Sequence, residues 1–337
     1  MERAFVLGAG VSRGCGIPLT NRILTGVLGR LEKDGVKARN ELVALIRYLY
    51  PNFQPSAGTY PNIEDFFTQI EMALEFNSET YVRSNLWPSP RLTRIDRTLK
   101  QALSSYLWSR VERVKSRDSK WVEHLVKFCT DVLRSGDVVV TFNWDIMFER
   151  ANSLIGDQRF ELRHTYSPGP KRDRQSRYVT LLKPHGSIDW FQTGEVQKVE
   201  TRGPADFVRL GTDVYLYNSF LRRPHHHLDD RVPEIVPPSL LKAFRTEVAQ
   251  RTWKDIYRAL RRAGEIYIIG YSLPPEDQFA RFVLRRVFRN ASVDGLDPKI
   301  TVVNPTSTVL DRFEEVVGSS FRVQFEHITF EKWLTAA

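Results

Sequence analysis

Cysteine is scarce: only Cys15 and Cys129 occur in 337 residues. Two thiols cannot form a disulfide framework or a four-thiolate zinc centre. No apolar run approaches the roughly 20 residues a membrane span requires, so no membrane segment is expected. Glu2 and Arg3 followed by glycines do not resemble a secretory leader, and these absences together predict a cytoplasmic protein. Two phosphate-binding signatures are also missing. There is no Gly-x-x-x-x-Gly-Lys, so no ATPase domain is expected. Gly8 and Gly10 lack the third glycine of the dehydrogenase fingerprint, because Arg13 holds its place.

Hydrophobic residues make up 42% and charged residues 26%, ordinary values for a globular protein with a sizeable core. Lys and Arg outnumber Asp and Glu by 49 to 40, a formal charge of +9 that favours an anionic ligand or partner. The arginines of Arg258–Arg262 and Arg281–Arg289 read as exposed helix faces before they read as a nucleic-acid surface. A small anionic ligand accounts for the excess equally well, so direct nucleic-acid binding stays open.

The run Ala4–Leu7 (AFVL) is short, apolar and followed at once by glycine, the pattern of a buried parallel strand. Further strands are expected at Asp137–Thr141, Val179–Lys183, Glu265–Ile269, Lys299–Val303 and Arg322–Phe325. Helical spacing lies between most of them, over Asp145–Ile155, Leu240–Ala263, Pro275–Phe288 and Ser307–Val317. This alternation predicts an α/β fold, a Rossmann-like parallel sheet with helices on both faces. Residues 20–135 show helical patterns alone, at Thr20–Leu31, Glu41–Tyr50, Asn62–Phe76 and Leu92–Leu133. They are expected to form an inserted layer or lobe of a single domain spanning 1–337, with 137–330 completing the nucleotide-binding core. Ser167–Arg177 reads as an exposed loop.

Polar residues follow five of the apolar runs: GAGVS from Gly8, TFNWD from Thr141, KPHGSIDW from Lys183, GYSLPPED from Gly270, and Asn304-Pro305. In a doubly wound sheet all five would face one crevice beyond the strand ends. Each has a plain alternative when taken alone. A Gly-x-Gly makes a turn, His185 is a structural histidine, Asn143 caps a helix, and Asp145 and Asp189 do the same. Trp144 and Trp190 either pack over a ligand or fill core. His225, His226 and His227 point different ways and read as a polar loop rather than a metal site. Gly8 and Gly10, lacking Cβ atoms, would permit a tight turn and let backbone approach a diphosphate at the N-terminus of the next helix.

As an ordered set, GAGVS…GIP, TFNWD, KPHGS, GYSL and VNP resemble the sirtuin-like superfamily, over about residues 4–18 and 137–330. The likeness is greatest to prokaryotic antiviral-defence members that degrade NAD⁺, which Pro233–Phe244 (PEIVPPSLLKAF) also resembles. The resemblance implies that Gly8, Ala9, Gly10 and Ser12 hold the diphosphate. It implies that Thr141, Asn143 and Asp145 form the Thr-x-Asn-x-Asp motif, with Asn143 and Asp145 near the nicotinamide ribose. His185 matches the catalytic histidine, Gly270 and Ser272 the second phosphate-side loop, and Asn304 a position near the adenosine ribose. Asn143 and His185 are the residues expected to carry the chemistry.

The implied activity is NAD⁺ glycohydrolysis to nicotinamide and ADP-ribose, with NAD⁺ as substrate and no metal. Histidine titrates near neutrality and suits a base acting on water or a ribose hydroxyl. The zinc cysteines of deacylating sirtuins are missing, Leu19-Thr20-Asn21 stands where they carry Asp-Phe-Arg, and Phe142 replaces a glutamine. These departures turn the expectation away from peptide substrates and toward water. An NAD⁺-dependent deacylase, an ADP-ribosyltransferase and a non-enzymatic NAD⁺ or ADP-ribose sensor remain as alternatives. The resemblance further implies a homo-oligomer, or a protein partner such as a nucleic-acid-handling ATPase or short Argonaute, that releases a restrained effector.

Overall fold

The computed structural model describes residues 2–34, 36–54, 60–79, 87–116, 118–155, 160–165, 177–192, 207–210, 214–217, 231–237 and 246–336. The histidine run at 225–227, nearly all of the loop expected at 167–177, residues 238–244 of the PEIVPPSLLKAF stretch and the first turn of the helix expected from Leu240 lie outside them.

In chain order the strands are β1 (Glu2–Leu7), β2 (Val138–Thr141), β3 (Glu161–Arg163), β4 (Tyr178–Leu182), β5 (Gly186–Gln192) and β6 (Phe207–Arg209). They continue with β7 (Val214–Tyr217), β8 (Pro233–Ile235), β9 (Ala263–Ile269), β10 (Lys299–Val303) and β11 (Val323–Glu326). Seven form one sheet in the order β11-β10-β9-β1-β2-β4-β3, and every pairing in it is parallel. The fold is α/β. The chain's first strand lies in the middle, and successive strands build outward from it in opposite directions. The place where the direction reverses, between β1 and β9, is where such sheets bind ligands.

Side chains alternate across this sheet, and both faces are covered. Phe5, Leu7, Val139, Leu181, Ile269 and Val303 enter a core shared with helices Thr20–Asp34, Val36–Leu49, Ile63–Glu79 and Ser89–Val111. Ala4, Val6, Val138, Val140, Ile268 and Val302 enter the opposite core, with helices Glu247–Arg262, Gln278–Val293 and Thr308–Val317. Because both faces are buried, AFVL is a continuous apolar run, each of its residues at most 1% exposed.

The helices of residues 20–135 therefore form a layer on one face of the sheet. The helix expected over Leu92–Leu133 is interrupted: Ser89–Val111 ends, and the chain restarts at Glu123–Lys127 before a π-turn at Phe128–Val132. An unexpected second sheet of four antiparallel strands, in the order β6-β7-β5-β8, follows the KPHGS motif. Its strand β5 begins directly after His185. Trp190 packs there with Val214, Leu216 and Val248, which makes it core. No helix among the described residues is long and apolar enough to cross a membrane.

Candidate active site

The ends of β1, β2, β4, β9 and β10 open onto one cleft of about 760 Å³, a size typical of small-molecule sites. Ala9, Gly10, Asn143, Asp145, His185, Gly270, Ser272 and Asn304 all line it. Gly8, Ser12 and Thr141 are buried behind the cleft wall, where they hold the residues in front of them.

The glycines serve mainly to let two loops cross. Gly8 has an extended φ of −121°, and neither Gly8 nor Gly10 has a positive φ. A Cβ on Gly8 would sit 2.4 Å from the Cα of Tyr271, and one on Gly10 would sit 2.7 Å from the Cα of Gly270. Gly270 itself has φ +63°, and its Cβ would lie 2.8 Å from the Cα of Gly10. The backbone N–H groups of Gly8 and Gly10 donate to the carbonyls of Ile269 and Gly270, both at 3.0 Å, and that of Val11 donates to the Gly8 carbonyl. These three donors are already engaged within the protein.

The helix expected to present its N-terminus to an anion is a single turn, Ala9–Ser12, too short to sum a large dipole. Two cations line the cleft instead. One is exposed Arg13, at the position where a third glycine is missing. The other is Arg312, which donates to the Ser272 carbonyl at 3.1 Å. After Ser272 the backbone is strained: buried Leu273 has φ +47°, a conformation β-carbon-bearing residues rarely adopt.

Asn143 is held rigidly. Its Nδ2 donates to the Gly8 carbonyl and to the Ser12 hydroxyl, each at 3.0 Å, and the Thr141 hydroxyl accepts its backbone N–H. A carbonyl only accepts, so the contact with Gly8 fixes the amide's orientation. With both N–H bonds engaged, Oδ1 is the atom left to accept a hydrogen bond. Ser12 passes its own hydrogen to Asp145 Oδ1 at 3.2 Å, and the same oxygen accepts the Met147 N–H at 2.9 Å. Burial pushes the Asp145 carboxyl above its usual range, opposed by the Met147 N–H and Lys183. Asp145 thus lines the cleft and orders the start of helix Met147–Ser153.

His185 follows β4 and is 4% exposed. Its Nε2 lies 3.4 Å from Asp277 Oδ2, which also accepts the Tyr271 hydroxyl at 2.5 Å. The Phe142 ring packs edge-on against His185 and stacks on Tyr271 with centroids 4.1 Å apart. Phe142 is thus an aromatic wall of the cleft. Beneath it, fully buried Lys183 donates to the Asp145 carbonyl and to Glu149, each at 2.7 Å, fastening the Asn143 loop to the His185 loop. Trp144 lines the cleft. Cys15 is core, and burial first of all drives its thiol upward, away from nucleophilic use.

The helical layer also reaches the cleft, through Asn62 and Glu64. Asn62 Oδ1 accepts the Glu64 N–H at 3.1 Å, capping the start of helix Ile63–Glu79, whose first turn reaches the site. Burial, followed by the charges of Asp277 and Glu276, pushes the Glu64 carboxyl up to about 8. The folded state therefore holds a proton that the unfolded chain loses near 4.5. The resulting stability is complete below that value and is lost as pH rises through about 8. Glu64→Gln, which imitates the neutral acid, is expected to melt nearly with the wild type at pH 5 and several degrees above it at pH 9. Coincident melting curves at pH 9 would exclude this account. Glu64, Asp277, Arg13 and Arg312 were not singled out by sequence. Asp277 had a signal, as the last residue of the GYSLPPED strand end, while Glu64 had only that of a helix start.

No family model matches the chain, and no curated protein does. Among solved structures, a Sir2 homologue with a serine-to-alanine substitution, in complex with ADP-ribose, is similar at 14% identity and a TM-score of 0.40, over 99% of this chain and 89% of its own. Sir2 in complex with the inhibitor EX-527, 2′-O-acetyl-ADP-ribose and a deacetylated p53 peptide is similar at 12% identity and a TM-score of 0.34, over 100% and 91%.

Proposed function

We propose that the chain hydrolyses NAD⁺ to nicotinamide and ADP-ribose, as the effector of a bacterial antiphage system. The observation that carries this reading is the convergence of five polar strand ends on one cleft, with Asn143 and His185 both on its wall.

The bond between the ribose C1′ and the nicotinamide nitrogen breaks, and the electron pair leaves with the ring, neutralising its positive charge. Water adds to C1′ and loses a proton. Asn143 Oδ1, locked by the two bonds its amide makes, is suited to align an O–H of that water or of the ribose. His185 is suited to take the proton. Arg13 and Arg312 supply positive charge for the diphosphate, joining Gly10 and Gly270 at the floor. Ala9, Ser272 and Asn304 line the remainder of the expected binding surface, while Gly8, Ser12, Thr141 and Asp145 support it. A dinucleotide of two phosphates also accounts for part of the +9 charge.

Unrestrained NAD⁺ loss would kill a host cell, so activation by self-association or by a nucleic-acid-sensing partner belongs to this proposal. The test is NAD⁺ consumption by the purified chain, alone and with its genomic neighbours, in ¹⁸O-labelled water. Nicotinamide release with ¹⁸O in ADP-ribose is expected. Products formed only when an acyl-peptide or protein acceptor is added would replace hydrolysis with deacylation or ADP-ribosyl transfer. Binding without turnover in the activated assembly would replace it with a sensor.

A further inference from the structure

We infer that Asp277 is a positioning residue for His185, fixing its ring so that Nε2 bears the hydrogen and Nδ1 is the atom offered to the reaction. This rests on the hydrolase reading above, but its geometry is independent of it. Asp277 lies 92 positions beyond His185 in the chain, and its Oδ2 stands 3.4 Å from Nε2, with both side chains at most 5% exposed. At such burial a carboxylate is little screened by solvent. An acceptor-only group facing Nε2 selects the tautomer that carries hydrogen there and leaves Nδ1 with its lone pair.

The surroundings hold the carboxylate in place. Oδ2 accepts the Tyr271 hydroxyl at 2.5 Å, and Oδ1 accepts the Ala280 N–H at 3.3 Å at the start of helix Gln278–Val293. Burial, with Asp277 beside it, drives the Tyr271 phenol well above its ordinary range, so it remains a donor. Phe142 and Trp253 pack against the imidazole, with ring centroids 5.1 and 6.3 Å away. When Nδ1 takes a proton from water, the imidazolium forms against a fixed negative charge. No other electron or proton transfer is needed.

Asp277 also caps a helix, so its role at His185 must be separated from that structural one. Asp277→Ser keeps a capping oxygen without a carboxylate, and Asp277→Asn keeps the shape without the charge. Both are expected to lower kcat for NAD⁺ cleavage by about 10²–10⁴-fold, with KM changed less than about threefold, and Asp277→Asn should melt closer to the wild type than Asp277→Ser, which strands the buried Tyr271 hydroxyl. Tyr271→Phe, which removes one of the bonds that hold the carboxylate but keeps its charge beside His185, is expected to lower kcat less than either change at Asp277. A second readout needs no turnover: ¹⁵N-histidine NMR, with His185 assigned by its loss in His185→Gln, should show Nε2–H in the wild type and a tautomer mixture in Asp277→Asn.

Wild-type kcat in Asp277→Ser or Asp277→Asn would overturn the inference while leaving hydrolysis standing. An inactive wild type with His185 in the single Nε2–H form would overturn hydrolysis and leave the pairing. Mixed tautomers in the wild type would overturn the pairing outright.

Discussion

His185→Ala is expected to lower NAD⁺ turnover by about 10²–10⁴-fold, the range for removal of a general base. The protein should still fold and still bind ADP-ribose. The histidine is packed on one side by Phe142 and Trp253, but it contributes one ring to a wall that Tyr271 and Phe142 hold by stacking. Asn143→Ala is expected to reach a similar loss by another route. Removing its amide leaves the Gly8 carbonyl with the Val11 N–H alone and the Ser12 hydroxyl bound only to Asp145, so its melting temperature should fall while that of His185→Ala changes less. Isothermal titration with ADP-ribose beside single-turnover kinetics separates binding from chemistry. Undiminished turnover in His185→Ala would remove the histidine from the mechanism, and hydrolysis would then need another proton acceptor in the cleft.

Gly270→Ala is expected to cost a large part of the stability. Adopting a φ of +63° costs an L-residue about 1–2 kcal/mol, and intrusion into a packed region adds about 1–3 kcal/mol. The new methyl would meet the Gly10 Cα and the Val11 nitrogen, both 2.8 Å away and both backbone, so no side chain can turn aside. A total near 2–5 kcal/mol is a large share of the stability of an ordinary domain. The matched control is Gly29→Ala, in the exposed interior of helix Thr20–Asp34 with nothing within 4 Å of its Cβ. That change should stabilise by about 0.5–1 kcal/mol. Urea melts of the two variants should move in opposite directions. If Gly270→Ala unfolds with the wild type, the loops cross less tightly than described.

The parts of the molecule legible in sequence are those buried on two sides. AFVL, EIYII and ITVV are continuous apolar runs ending in polar residues because the sheet is covered above and below, and β1, β9 and β10 lie where those runs are. The second sheet escaped notice because β6, β7 and β8 have only three or four residues, too few to establish a period. β3 is a three-residue edge strand with the same difficulty.

Within the site, the strand ends were legible because motif order and topology point to one crevice. Contacts between distant segments were not. Nothing about Gly10 states that its neighbour is Gly270 rather than a phosphate, and nothing about Glu64 in an amphipathic helix states that its first turn faces the loop bearing Glu276 and Asp277. The glycine-rich start is thus a crossing point of two loops whose tightness shapes the cleft floor.

Placing the first strand at the centre of the sheet has a consequence for biosynthesis. β1 is synthesised before both its neighbours, β2 from Val138 and β9 from Ala263. Its pairing with β9 must wait about 260 residues beyond its own synthesis, and contacts of such long sequence separation form slowly. The cleft is complete only when Asn304 has been translated and folded onto β11. A nascent or prematurely terminated chain carries the glycines, Asn143 and His185 without the loop that bears Asp277. The proposed hydrolase would thus be inactive until its late strands have been added.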